Sequence, residues 1–324
     1  METRKLQQTG GRNGSSYLVV LPKDWVLRQN LEKGDTVIVS EKEDGCLIID
    51  PRMRESDESR KTEIQIQSNL RWGITSKYLL GFDEIRVVSD EPITNEQREE
   101  LKQVIKRFVA LEVTDEEDQM LLVQCLVDPS TIPVQKAMKR TNLIASRMLR
   151  DALLAYYEGN IELAKDVADR DEEVDRLFFL IVRELRSAIR YPSMADKMGI
   201  APVEALDYRL VVQYIERIAD LAVDIAGLTN QPVPKQLAKK IDSVSEIIKE
   251  MLVKSLSNLF KFDSDKVAWV MDAEKEMIVR IDEIRNYLVS KKPKISQIHT
   301  QILDILARIG ESAKDIADLA LPRD

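Results

Sequence analysis

The stretch IERIADLAVDIAGLT at 215–229 returns, without a gap, as LARIGESAKDIADLA at 306–320. Seven of the fifteen positions are identical. Alanine-rich helix composition accounts for part of this. The Arg-Ile and Asp-Ile-Ala pairs held in one register make internal duplication the better reading. That repeat governs the second half of the chain. After Pro129 the sequence reads as six helical stretches, at about 133–157, 160–190, 202–228, 235–261, 264–291 and 295–320. The breaks between them are EGN, YPSM…GIAP, TNQPVP, FDSD and KKPK, the punctuation expected at helix ends. Six long helices with short links form bundles. A repeat of three makes the region two tandem three-helix bundles.

Within the repeat, Glu216, Asp220 and Asp224 follow one another at i, i+4 and i+8. They draw an acidic stripe along a mostly apolar helix. Like charges at this spacing repel, costing about 0.2–0.5 kcal/mol per pair on an isolated helix. The preceding helix carries ADRDEEVDRL, in which Asp171 and Asp175 also stand four apart. Antiparallel helices that each present an acidic pair can bring four carboxylates together. Oxygen-only ligands suit hard cations: Mg²⁺, Mn²⁺, Ca²⁺ or iron. The competing reading is a solvated face with ion pairs to Arg217, Arg176 or Arg170. The apolar setting of Glu216 and Asp220 weighs against it, because unpaired buried carboxylates are costly.

The first 52 residues have another texture. RKLQQ, YLVVLP, DTVIVSEKED and GCLIID read as short strands, with a TGGRNGSS loop and a short KDWVLRQN helix. Gly10, Gly11 and Gly14 in that loop suit positive φ or close backbone approach. Residues 1–28 carry Arg4, Lys5, Arg12, Lys23 and Arg28 against Glu2 and Asp24, on a chain whose net charge is -8. A basic start on an acidic protein suits a small nucleic-acid-binding module on a larger regulatory body, although on charge alone a chance cluster is the better explanation. Residues 53–129 continue in mixed fashion: the polar linker MRESDESRK, strand TEIQIQ, helix NLRWGITSKYLLG, strand EIRVVS and helix NEQREELKQVIKRF. Strands VALEVT and QMLLVQCLV follow, bracketing a DEED turn. This reads as a small α+β module without evident chemistry.

Several function classes are excluded. His299 is the only histidine, which removes Glu-x-x-His di-iron sites, His-rich zinc sites and Ser-His or Cys-His catalysis. Cys46 and Cys125 lie in the apolar runs CLIID and LLVQCLVD and read as buried thiols of a reducing compartment. The N-terminus is polar and has no signal peptide, and no apolar run approaches the ~20 residues of a membrane span. A cytoplasmic protein is expected.

ERIADLAVDIA, the upstream DEEVD, the tandem halves and the RIGESAKDIADLA ending resemble the PhoU phosphate-uptake regulators over about 130–324. In that family an E(D)-x-x-x-D motif on paired helices of each bundle is associated with bound metal clusters. The resemblance implies metal ligands at Asp171, Asp175, Glu216 and Asp220 in the first bundle, for a divalent metal or iron, with zinc, magnesium and manganese among the candidates. In the second bundle Glu274, Ile278, Ala307 and Glu311 stand at the matching places. Two ligands are missing there, which leaves a degraded site around Glu274 and Glu311.

The segment RKLQQTGGRNGSSYLVVLPKDWVLRQNLEKGDTVIVSEKEDGCLIIDP resembles the AbrB/MazE-type swapped-hairpin domains, most specifically through YLVVLPKDWV…LEKGDTVIV. About 50 residues in four short strands cannot bury an adequate core alone, so two copies should interlock. The resemblance implies a dimer that presents Arg4, Lys5 and Arg12, with Lys23 a weaker member, to DNA.

The expected chain is thus multi-domain. It comprises a β-rich swapped-hairpin barrel at 1–52, a small α+β module at 53–129 and all-α tandem three-helix bundles at 130–324. The expected function is non-enzymatic: a homodimeric, DNA-binding negative regulator of phosphate uptake and phosphate homeostasis. Its metal-binding helical part would sense a signal or bind a partner. Promoter DNA, phosphate transporter subunits and a signalling partner are the expected partners, and no organic cofactor is expected. One alternative is an antitoxin-like or general AbrB-type transcription factor. The other is a metal-dependent phosphate-handling enzyme, which no nucleophile, imidazole or Gly-rich phosphate loop supports.

Overall fold

The computed structural model describes residues 3–9, 16–41, 45–51, 59–66, 69–126, 133–230, 232–289 and 293–322. It divides into two compact units, Met1–Ser59 and Arg60–Asp324. Together they comprise a small β-rich N-terminal region and a large helical C-terminal part.

In the first unit, β1 (Gln7–Thr9) pairs antiparallel with β2 (Ser16–Leu18). After α1 (Lys23–Arg28), β3 (Ile38–Glu41) pairs antiparallel with β4 (Leu47–Asp50). These are separate two-stranded ribbons, and an isolated hairpin is marginally stable in water. Among the described residues of this unit no apolar side chain is buried. Leu6 is 67 % exposed, Tyr17 63 % and Leu47 66 %. Cys46 is exposed, which corrects its reading as a buried thiol: it precedes β4, in a ribbon with no second layer to cover it. Gly10, Gly11 and Gly14 lie outside the described residues.

The second unit opens with β5 (Lys61–Gln65), α2 (Leu70–Leu79) and β6 (Glu84–Val88). These are followed by α3 (Asn95–Ile105), β7 (Leu111–Glu116) and β8 (Met120–Cys125). Helix α2 is the crossover that lets β5 and β6 pair in parallel. The sheet order is β5-β6-β8-β7, with β8 antiparallel to both neighbours. Alternation in β6 buries Ile85 and Val87 and leaves Arg86 exposed. Thr94 caps α3 in a reciprocal box. Its Oγ1 accepts from the Gln97 amide (3.2 Å), while Gln97 Oε1 accepts from the Thr94 amide (2.9 Å). The DEED segment is less of a turn than its composition implies, since Asp115 and Glu116 belong to β7.

The helices are α4 (Val134–Glu158), α5 (Ile161–Arg190), α6 (Pro192–Met198), α7 (Pro202–Gly227), α8 (Lys235–Phe260), α9 (Ser264–Val289) and α10 (Pro293–Asp318). The EGN break works as its residues dictate. Gly159 closes α4 at φ +68°, and Asn160 Oδ1 accepts from the Leu163 amide (3.1 Å) to cap α5. Helix α6, seven residues long, lies inside the YPSM…GIAP break and is too short to show a period. Helices α4, α5 and α7 pack on one another, α8, α9 and α10 do the same, and α7 against α10 joins the two groups. One apolar core runs through both. The α+β part has its own core, and Leu79 and Phe179 pack against both. His299 is buried, and its Nδ1 is hydrogen-bonded to the Tyr156 hydroxyl, a core contact that links α10 to α4. No helix among the described residues is long and apolar enough to cross a membrane.

Candidate functional site

The acidic pairs of α5 and α7 lie close enough for their charges to act on one another. Asp171 and Glu216 are half-buried, while Asp220 and Asp224 sit nearer solvent. The charge on Asp220 bears most strongly on Asp171, and that on Asp175 bears more strongly on Glu216 than Asp171 does. This is the order expected of antiparallel helices. Burial, reinforced by Asp220, Asp175 and Glu172, raises the Asp171 carboxyl to about 6. Burial and the charges of Asp220, Asp175 and Asp171 raise Glu216 to about 7, against a hydrogen bond from Gln213 that lowers it. Asp220 is raised by burial and by Asp175 and Asp224. The i, i+4 repulsion evident along one helix is therefore compounded across two.

Two side chains answer part of this charge. Gln213 Nε2 donates to Glu216 Oε2 (2.7 Å), and Gln213 Oε1 accepts from Arg209 Nη1 (3.2 Å). From the α+β part, Arg107 Nη2 donates to Asp175 Oδ2 (2.9 Å) while its guanidinium lies over the Phe179 ring, 5.7 Å from the centroid. Arg107 was invisible to sequence reasoning, because its partner is 68 residues away and no local pattern marks it. Arg170, one of the cations weighed as a partner for the stripe, pairs instead with Asp151 on α4 (2.8 Å).

The donor chemistry suits a hard cation: oxygen ligands only, and a buried Asp171 Oδ1 with no hydrogen-bond partner. The side chains as placed do not converge. Among the described residues no group of three or more Asp, Glu, His or Cys could hold a metal ion. The arrangement is a charge-strained cluster tied at one corner by Arg107. In the second helical group, Lys314 Nζ lies 3.9 Å from Glu274 Oε1. Glu311 is exposed there, with Ile278 and Ala307 at the other two matching positions.

Arg4 and Lys5 are exposed ahead of β1, and Lys23 is exposed at the start of α1. Arg12 lies outside the described residues.

Two protein-family models match parts of the chain. The PhoU domain family matches residues 139–229, which hold α5, α7 and all four carboxylates. The family of the antidote-toxin recognition protein MazE, a bacterial antitoxin, matches residues 12–57. A phosphate-specific transport system accessory protein PhoU homolog of Clostridium acetobutylicum is 23 % identical, over 44 % of this chain and 74 % of that protein. The crystal structure of PhoU from Pseudomonas aeruginosa superposes with a TM-score of 0.45 at 18 % identity, covering 58 % of this chain and 93 % of that one. The chain thus matches the MazE antitoxin family near its N-terminus and the PhoU domain family in its first helical group.

Proposed function

We propose that this protein is a non-enzymatic regulator of phosphate uptake that binds promoter DNA through a dimer of its N-terminal domain. The observation that carries this reading is the PhoU match over 139–229, which encloses the acidic cluster. The Clostridium relative is named as an accessory to phosphate-specific transport, and accessory regulation of that process is the role assigned here. The N-terminal unit exposes its apolar residues and has no buried apolar core among its described residues. A second copy interlocked with it would supply the missing layer. Its exposed basic residues then face phosphates, while the helical part receives the signal or the partner. In this reading Asp171, Asp175, Glu216 and Asp220 hold a divalent metal or iron once Arg107 releases Asp175. A ligand changes the output only by favouring one arrangement of the protein over another.

Mapping bound DNA in vivo at high and low phosphate tests the reading, which requires occupancy at phosphate-uptake promoters that changes with phosphate. In vitro, replacing Arg4, Lys5 and Arg12 together by Ala should abolish binding to such a promoter and leave a folded dimer. Loss of about three phosphate contacts should flatten the dependence of log K on log salt by about 2–3. Unchanged affinity and salt slope would remove these residues from the interface.

The MazE match favours one second reading, an antitoxin. Copurification separates the two. A small toxin bound to the N-terminal region supports the antitoxin, and a phosphate transporter subunit or promoter fragment supports the regulator.

A further inference from the structure

We propose that the cleft between α4 and α8 is a docking groove for one acidic amphipathic helix of a partner protein. The groove has no part in the DNA or metal readings. Helices α4 and α8 come from different helical groups and touch each other little, so their facing sides stay open. Two open stretches share Ser146, Arg150 and Lys249 and form one continuous groove. Lys139 lies opposite Phe260 at one end and Tyr157 opposite Asp242 at the other, so the two walls run antiparallel. From Lys139 to Tyr157 the α4 wall is about 27 Å long at about 1.5 Å per residue.

The rim is apolar where solvent would be expected to select polar residues. Leu143 is 50 % exposed, Leu154 42 % and Val253 60 %. On α4, Leu143, Ser146, Arg150 and Leu154 recur at helical spacing, and on α8 Lys249, Val253 and Phe260 do the same. Two ridged helical walls with an apolar floor between them are the receptor half of a helix-in-groove interface. A contiguous exposed apolar strip of this kind marks an interaction surface. Five helical turns of a partner would fill its length.

Charge selects the occupant. The end bounded by Phe260 is lined by Lys139, Arg147, Arg150 and Lys249 and by no carboxylate, on a chain whose net charge is -8. The other end adds Asp242 and Glu246. The occupant is therefore acidic along one half and neutral or basic along the other, which also fixes its direction. Lys249 pairs with Glu246 across two mostly exposed side chains, while Arg150, itself exposed, pairs with the buried Asp151, which Arg170 also holds. The exposed Lys249 pair is weak, so Lys249 can re-pair with an incoming carboxylate, and Arg150 can turn to one while Arg170 stays on Asp151. Complementary charge of this kind governs which partner is accepted.

The test uses the full chain and two labelled synthetic helices of about 18 residues, with identical leucine spacing and either Glu or Lys flanking one half, read by fluorescence anisotropy. The Glu peptide should bind in the micromolar range and the Lys peptide at least about tenfold more weakly. Val253→Asp should weaken the Glu peptide at least about tenfold, and Lys139→Glu with Arg147→Glu should invert the preference between the peptides. These positions are exposed, so the variants should melt with the parent protein. Three results would overturn the proposal: no binding of the Glu peptide at about 100 μM, equal binding of both peptides, or binding untouched by Val253→Asp. A fall in the particle mass by light scattering on Val253→Asp would also overturn it, by assigning the groove to a second copy of this chain.

Discussion

Arg183→Ala should destabilise the Arg60–Asp324 unit by about 3–5 kcal/mol, the cost of breaking a buried ion pair from one side. Arg183 projects from α5 and its side chain is 1 % exposed. Its Nη1 donates to the Tyr78 carbonyl (2.7 Å) and the Phe82 carbonyl (2.9 Å), and its Nη2 to Asp83 Oδ1 (2.6 Å). The guanidinium also lies over the Tyr78 ring, 5.0 Å from its centroid. A truncated side chain leaves two carbonyls and a carboxylate with a lost partner and opens a cavity between the two cores. At about 2–4 °C per kcal/mol for a unit of this size, the melting temperature should fall by about 6–20 °C. Arg183→Lys keeps the charge but cannot fork toward three acceptors, so it should recover only part of the loss. Amide exchange should quicken first in the α2–β6 turn. A loss below about 1 kcal/mol for the alanine variant would mean that this contact does not hold the α+β part to the helices.

The second large effect changes sign with metal. In metal-free protein, Glu216→Gln with Asp220→Asn should stabilise the fold above pH 7, because the carboxylates there repel one another. The pH dependence follows from the same shifts. Glu216 titrates at about 7 in the folded chain and 4.5 ordinarily, and Asp171 at about 6 against 3.8. The folded state therefore binds more protons than the unfolded state between these values. Stability should fall as pH rises from about 4 to about 7.5, and be recovered on acidification through the same window. Both groups are part-solvated and screened, so the swing should be about 1–3 kcal/mol. It should shrink in the double amide.

With saturating Mn²⁺ or Mg²⁺ the order reverses. If the cluster takes a cation, the parent protein gains about 2.7 kcal/mol at a hundredfold excess over Kd, and the double amide gains nothing. Glu274→Gln with Glu311→Gln should show no metal effect, since only two matching carboxylates stand there. Elemental analysis and melts with and without chelator decide the matter. Metal content indifferent to the Glu216/Asp220 change would make the stripe a partner-docking face. Arg107→Ala should tighten the cation site by releasing Asp175, measured as a lower Kd for Mn²⁺ in calorimetry; an unchanged Kd would show that Arg107 does not compete with the metal.

Much of this architecture was legible along the chain because it rests on local causes. A 3.6-residue apolar period, together with Gly159 and Asn160 at one break, marks where α4 ends and α5 begins whatever the rest of the protein does. The duplication of 215–229 at 306–320 reveals the two helical groups for the same reason, and four-residue spacing is enough to place Asp171 and Asp175 on one face. Tertiary structure alone decided what balances those charges. Arg107 and Arg183 sit in the unremarkable contexts VIKRFV and LIVREL, and their acidic partners lie 68 and 100 residues away. Whether four neighbouring carboxylates form a metal site or a strained cluster depends on which cation the fold delivers to them. Such a long-range contact has no sequence period, because nothing within a few residues of either arginine has to change for it to form.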